Sequence, residues 1–128
     1  MAFTILIIST AIACLHLKSI AKKAKYAQVE TDFHSLECCV TLFQMNAGRP
    51  PTQEEGIQAF VERPATLGEE RHWVQLFAQE PKDPWNHAYI YRVDKEGDKM
   101  SVTFLSYGPD GIPGEDDLKS QPLLLSSS

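Results

Sequence analysis

The sequence predicts an α+β fold in which a long N-terminal helix packs on a small antiparallel sheet. Residues 3–46 form one helical pattern without Gly or Pro. Nearer the C-terminus, two segments rich in aromatic and β-branched residues, Ala88–Val93 and Met100–Leu105, flank a charged loop at Asp94–Lys99 that contains Gly97, a pattern typical of a β-hairpin. At 1.5 Å per residue the helix would be about 65 Å long, more than a domain of this size needs.

The helical pattern divides into two parts with different chemistry. Residues 2–17 carry no formal charge, whereas from Tyr26 onward apolar side chains recur in steps of three and four residues and so share one face. These side chains are Tyr26, Val29, Phe33, Leu36, Val40 and Phe43. Between the two parts lies a basic segment, here called the lysine collar, made of Lys18, Lys22, Lys23 and Lys25.

Three regions follow from this pattern. We expect residues 2–21 to form a transmembrane or assembly helix segment. Residues 22–118 should form the globular domain, with the helix at 22–47 packed on its loops and sheet. Residues 119–128, which end in Leu-Leu-Leu-Ser-Ser-Ser, should form a flexible tail.

Composition excludes several classes of function. The net charge of −5 argues against nucleic acid as a partner. The three cysteines, Cys14, Cys38 and Cys39, do not form a disulfide framework. The histidines lack metal-ligand spacing, and the sequence contains no nucleophile–base grouping and no phosphate-binding loop. We therefore expect a protein that is not an enzyme.

The apolar N-terminus permits three interpretations. An anchor helix is favoured, although about 20 apolar residues are normally needed to span a membrane. A cleaved signal peptide would require a basic segment before the apolar run. A lipid anchor at Cys14 is the third possibility. The lysine collar, taken alone, favours a cytoplasmic location for the following domain.

Turn signals predict how the chain leaves the helix. Gly48 can adopt the left-handed conformation that ends a helix, and Pro50 and Pro51 force an extended corner. Thr52 and Glu55 have the spacing of a capping box, which predicts a second short helix ending near Pro64. For residues 65–79 the pattern leaves open a helical turn or an extended segment.

An acidic loop follows the second predicted strand. Four carboxylates lie within eight residues, in a segment that also contains three glycines and two prolines; they belong to Asp110, Glu115, Asp116 and Asp117. A tight loop that gathers carboxylates suits Ca²⁺, which accepts irregular oxygen coordination. The residues alone leave a second interpretation open, an acidic turn exposed to solvent.

Four motifs in this order resemble the major pseudopilin, protein G, of the type II secretion system. They are the apolar N-terminal helix with Asp32-Phe33, then 46–57 (NAGRPPTQEEGI), 81–85 (PKDPW) with Tyr89, and 106–111 (SYGPDG) with Asp116-Asp117. The resemblance implies a type IV pilin-like fold with a C-terminal calcium loop. It also implies insertion in the bacterial inner membrane as a single-pass protein with its domain in the periplasm.

The resemblance further implies how such a protein works. A prepilin peptidase would cut between Ala2 and Phe3, and the new N-terminus would be methylated. Copies of the chain would polymerise into a periplasmic pseudopilus together with other pseudopilins and inner-membrane secretion components. Calcium would be held by the side chains of Asp110, Asp116 and Asp117 and by the carbonyls of Tyr107 and Ile112.

One departure from the family pattern supports an alternative function. Family members usually carry Glu five residues into the mature chain, where this chain has Ile7. In the family this Glu pairs with the terminal amine of a neighbouring subunit during assembly. The alternative is therefore a calcium-stabilised, membrane-anchored pilin-like binding module that does not polymerise, or a minor pseudopilin. A smaller departure is Asn86-His87-Ala88, where the family usually has Gly-Asn-Pro.

Overall fold

A computed structural model describes the backbone of residues 2–126 and the side chains of residues 9–125. One helix, α1, runs from Ala2 to Ala47, and a short 3₁₀ helix spans Gly56–Phe60. Four strands follow: β1 (Ile90–Glu96), β2 (Lys99–Ser106), β3 (Leu118–Lys119) and β4 (Leu123–Ser126). The predicted α+β fold with its long N-terminal helix is confirmed.

Strand β2 is the centre of a four-stranded antiparallel sheet. On one side it pairs with β1 along the full length of β1, from Ile90 opposite Leu105 to Glu96 opposite Lys99. On the other side its first half pairs with β4 and its end pairs with β3. The end of β2 is therefore held from both sides at the point where the chain enters the acidic loop.

The hairpin is tighter than the sequence predicted. Residues 94–96 and Lys99 were expected in a loop, but they belong to β1 and β2, and only Gly97 and Asp98 connect the strands. Gly97 has a positive φ of 60°, which permits such a two-residue turn. The charged residues remain in the strands because their side chains point to solvent.

The apolar face predicted for α1 packs on the sheet to form the core. Val29, Phe33, Leu36, Val40 and Phe43 are all buried, whereas Tyr26 is half-buried and lies edge-on to Trp85, with ring centroids 5.5 Å apart. The other side of the core consists of Tyr89, just before β1, and of the strand residues Tyr91, Val102 and Phe104. Burying each large apolar side chain contributes about 1.5–3 kcal/mol, so these residues contribute much of the free energy that holds α1 on the domain.

The end of α1 agrees with the sequence. Gly48 has a φ of 80°, and its N–H donates to the Gln44 carbonyl, which confirms the predicted left-handed terminus. The Arg71 guanidinium donates to the Ala47 carbonyl over 2.5 Å and so satisfies a carbonyl that the helix end leaves free.

The second helix is shorter than the capping box suggested. The Thr52 hydroxyl accepts from the Glu55 N–H as expected, but only one 3₁₀ segment forms. The Phe60 carbonyl accepts from the amides of Leu76 and Phe77, and Pro64 has no N–H to offer to a continuing helix. Residues 65–79, for which a helical turn and an extended segment were both possible, contain neither a helix nor a strand.

Glu55, the residue before the 3₁₀ helix, makes charged and polar contacts. Its carboxylate receives hydrogen bonds from Arg49 at 2.7 Å and Thr66 at 2.9 Å. Burial alone would raise the pKa of Glu55, but these hydrogen bonds and the Arg49 charge outweigh burial and lower it.

Glu55→Gln should therefore destabilise the protein at neutral pH, by an amount that shrinks in acid. A lowered folded-state pKa gives stability that is present above the unfolded pKa of about 4.3 and is lost as the pH falls through the folded value. The measurement is urea unfolding of wild type and variant between pH 7 and pH 3, with exposed Glu62→Gln as the control. If the difference in unfolding free energy between Glu55→Gln and wild type stays constant from pH 7 to pH 3, the expectation is contradicted.

The predicted flexible tail at 119–128 is wrong for most of its length. Leu123–Ser126 forms β4 against β2, and the Ser120 hydroxyl accepts from the Phe104 N–H. Leu123 and Leu125 pack against the core whereas Leu124 is exposed. The strand was missed because three consecutive leucines conceal this alternation.

Among the residues that the structure describes, no helix is both long enough and apolar enough to cross a membrane.

Candidate functional site

The acidic loop, residues 107–117, leaves the end of β2 and returns to β3. Gly108 and Gly111 both have positive φ, 76° and 69°, which other residues adopt only with strain. The Gly111 N–H donates to the Gly108 carbonyl, and the Asp117 N–H donates to the Gly114 carbonyl. Two successive turns therefore fold the segment back on itself, as its glycines and prolines predicted.

Three of the four carboxylates make close contacts inside this loop. Asp110 Oδ1 accepts from the Ile112 N–H at 3.2 Å, and Asp117 Oδ1 accepts from the Gly114 N–H at 3.0 Å. The Asp116 carboxylate lies over Gly108, where an added Cβ would be 3.4 Å from Oδ2. Oxygen donors of this kind suit a hard cation such as Ca²⁺. A cation would use the second oxygen of Asp110 and Asp117, or displace an amide.

The proposed ligands thus share one loop, but the structure does not gather them into a finished site. Asp110, Asp116 and Ile112 are exposed, and Tyr107 and Asp117 are half-buried. Within the described part of the chain, no three acidic, histidine or cysteine side chains converge as a metal-binding group would. The calcium assignment stays a prediction.

A buried carboxylate that the sequence analysis did not single out anchors the loop. The Asp83 side chain is fully buried, and its Oδ1 accepts from the Trp85 N–H at 3.1 Å and the His87 N–H at 2.8 Å. Its Oδ2 accepts from the Ser106 hydroxyl at 2.7 Å, and that hydroxyl accepts from the Gly108 N–H. Asp83 therefore connects the turn at 81–87 to the end of β2 and the first residues of the acidic loop.

His87 makes a second connection between the turn and the loop. Its ring covers Gly111, where an added Cβ would lie 2.6 Å from Nε2. Its Nδ1 is buried, has no hydrogen-bond partner among the described residues, and lies 3.8 Å from Asp83 Oδ1. This contact occurs where the chain departs from the family's usual Gly-Asn-Pro.

Gly111→Ala should destabilise the protein more than Gly97→Ala. Both glycines have positive φ, so both variants carry backbone strain of about 1–2 kcal/mol. Only Gly111 faces a side chain, because a Cβ at Gly97 would have nothing within 4 Å. Thermal unfolding of the two variants measures the difference, and adding His87→Ala should remove it. Equal destabilisation by the two single substitutions would contradict the His87 contact.

Other contacts were also missed by the sequence analysis. Tyr89 donates its hydroxyl hydrogen to Asp32 Oδ2 over 2.5 Å, which joins α1 to the residue before β1. Burial raises the pKa of Tyr89, and the hydrogen bond to Asp32 reinforces the shift. Asp32, Asp83 and Tyr89 all lie in motifs on which the resemblance rests, so the motifs contained the signal. Their roles became evident only once the contacts were known.

The predicted processing residues, Ala2 and Phe3, and also Ile7, lie outside the residues whose side chains the structure describes.

Comparison with known proteins identifies the family. The profile for "Type II secretion system (T2SS), protein G" matches residues 16–121. A type II secretion system core protein G from Dickeya chrysanthemi is 33% identical over 98 residues, covering 75% of this chain and 63% of the relative. One from Klebsiella michiganensis is 32% identical over 97 residues, covering 74% of this chain and 67% of the relative. The aligned region thus spans about two thirds of these relatives.

A solved structure supports the same conclusion. The major pseudopilin from the type 2 secretion system of enterohaemorrhagic Escherichia coli superposes with a TM-score of 0.64 and 31% identity. The match covers 80% of this chain and 91% of that chain. The pilin-like fold and the resemblance predicted from sequence are confirmed, and the family is one of structural subunits, not enzymes. This chain therefore belongs to the type II secretion system protein G family.

Proposed function

We propose that this chain is a pseudopilin subunit that polymerises into a periplasmic pseudopilus and so helps to export proteins. Its partners are copies of itself, other pseudopilins and inner-membrane components of the secretion system. The globular domain faces the periplasm, and the segment at 2–21 is held in the inner membrane.

One observation carries this proposal. From Ser9 to Lys25 every side chain of α1 is exposed, so this part of the helix extends beyond the domain. The exposed fractions of Ile12, Leu15 and Leu17 are 62%, 67% and 64%. A contiguous apolar surface of this kind is typical of a protein or membrane contact. Packing such helices against one another, within or next to the bilayer, would bury it.

Chemical crosslinking in cells tests this assembly. Wild type should give a ladder of oligomers, whereas Ile12→Glu should not, because a carboxylate would have to be buried between helices. The domain should unfold at the same temperature in both proteins, since Ile12 lies outside the core. Thr41→Glu, an exposed position on the domain part of α1, is the matched control and should keep the ladder.

The crosslinking result also distinguishes a polymerising subunit from the non-polymerising alternative. If neither wild type nor the Thr41→Glu control forms a ladder, the chain is a non-polymerising, membrane-anchored module, as Ile7 in place of the family's Glu suggested. That outcome would overturn assembly without affecting the family assignment.

We also propose that the acidic loop binds Ca²⁺ through Asp110, Asp116 and Asp117 with the Tyr107 and Ile112 carbonyls. The support is the resemblance together with the oxygen-rich loop. When bound, the cation would neutralise part of the repulsion among the carboxylates and hold the loop closed against β2.

Asp116→Asn should abolish stabilisation by calcium while changing stability in chelator little. Asp116 is the more selective target because the Asp110 and Asp117 side chains also accept amide hydrogen bonds within the loop. At a hundred times its dissociation constant a bound ion contributes about 2.7 kcal/mol. Thermal unfolding with calcium and with chelator measures the effect, and Glu115→Gln in the same loop is the control. A wild-type melting temperature that calcium does not raise would contradict the proposal.

A further inference from the structure

A cleft lies where α1 leaves the globular domain. It has a volume of about 270 Å³, and we call it the collar cleft. Tyr26 and Trp85 form an aromatic wall, in edge-to-face contact at 5.5 Å. The complete lining is Lys18, Ala21, Lys22, Lys25, Tyr26, Trp85 and Pro109.

Three lysine side chains line the cleft. Lys18, Lys22 and Lys25 are spaced by four and three residues, so their side chains share one face of the helix. None of them is in an ion pair with a carboxylate among the side chains that the structure describes. In a chain with a net charge of −5, three unpaired ammonium groups around one cleft favour an anionic ligand.

The surroundings of the cleft indicate a lipid as the source of that anion. Immediately N-terminal on the same helix, the large apolar side chains of Ile12, Leu15, Leu17 and Ile20 are exposed. A free anion would leave this apolar surface in water, whereas a lipid covers it with acyl chains while presenting a phosphate to the lysines. Trp and Tyr side chains are enriched at the level of lipid headgroups, where Lys side chains also extend toward the polar phase.

We propose that the collar cleft binds the headgroup phosphate of an anionic phospholipid. Lys18, Lys22 and Lys25 supply the positive charge, and Tyr26 and Trp85 lie at headgroup depth. The cleft thereby fixes how far the globular domain stands from the membrane surface. The inference requires contact with a membrane but does not require polymerisation, so it can fail or hold independently of filament assembly.

Flotation of the full chain with lipid vesicles tests the proposal. Two vesicle compositions are compared, phosphatidylcholine alone and phosphatidylcholine with phosphatidylglycerol. Wild type should bind the anionic vesicles more tightly, and Lys22→Gln should weaken that preference about fivefold. The triple substitution of Lys18, Lys22 and Lys25 by Gln should abolish the preference while leaving binding to neutral vesicles unchanged.

Lys23 provides a matched control. It belongs to the same collar and carries the same charge, but it does not line the cleft. Lys23→Gln should therefore retain most of the preference for anionic vesicles, whereas Lys22→Gln should weaken it. Equal losses in the two variants would mean diffuse attraction to the surface and would overturn a defined site.

Three further outcomes would also overturn the proposal. If millimolar inorganic phosphate fully displaces the chain from anionic vesicles, the cleft is a site for small anions. If the lysine substitutions instead abolish oligomers formed without lipid, the occupant is an acidic surface of a second copy. Absence of any preference for phosphatidylglycerol contradicts the proposal outright.

Discussion

Asp83→Ala should lower the free energy of unfolding by about 3–5 kcal/mol, because it leaves several hydrogen-bond donors without a partner. The amides of Trp85 and His87 and the Ser106 hydroxyl all donate to this one carboxylate. Their loss would release the turn at 81–87 from the end of β2. Since Ser106 also accepts from the Gly108 N–H, the start of the acidic loop should loosen as well.

Urea unfolding measures the loss of stability, and hydrogen exchange at Gly108 and Gly111 measures the loosening of the loop. Exposed Asp94→Ala removes the same charge from the surface of β1 and should change stability by less than about 0.5 kcal/mol. Asp83→Asn should be milder than Asp83→Ala, because an amide oxygen can still accept from the two backbone donors. Similar stability of Asp83→Ala and Asp94→Ala would show that the buried carboxylate is not the anchor.

Phe60→Ala should lower the free energy of unfolding by about 3–5 kcal/mol through the cavity it creates. Phe60 is fully buried, and its ring lies between Phe43 of α1 and Phe77, with centroid distances of 6.2 Å and 6.5 Å. The 3₁₀ helix is therefore part of the core, although its five residues make it the shortest helical element.

Thermal and urea unfolding of Phe60→Ala check this expectation. Gln58→Ala in the same 3₁₀ helix is the control, since its side chain is exposed and its removal should cost little. If Phe60→Ala is as stable as Gln58→Ala, the segment lies on the surface of the domain and does not form part of its core.

The sequence predicted those parts of the fold that have a clear period or a strong local signal. Residues Val29, Phe33, Leu36, Val40 and Phe43 follow a helical period and are buried, because this face of α1 packs against the sheet and the 3₁₀ helix. The end of the helix was predicted because Gly48 is suited to a left-handed backbone. Strand β4 was not predicted, because its pairing depends on β2, far away in sequence, and local composition does not encode it.

The candidate site was likewise predicted from the sequence only in part. The glycines and carboxylates of the acidic loop predicted its turns, which depend on residues close together in sequence. The Asp83–Ser106 hydrogen bond joins residues 23 positions apart, and the contact of His87 with Gly111 likewise joins two separate turns. Such pairings depend on how the sheet positions its ends, so they follow from the tertiary structure and not from local pattern.

Protein export from the native cell tests the central claim most directly. In a strain lacking this chain, we expect proteins that leave by type II secretion to accumulate in the periplasm. Wild type and the Thr41→Glu control should restore their release, whereas Ile12→Glu should not, although it folds. Export that continues normally without the chain, or that Ile12→Glu restores fully, would contradict a subunit acting through its exposed helix.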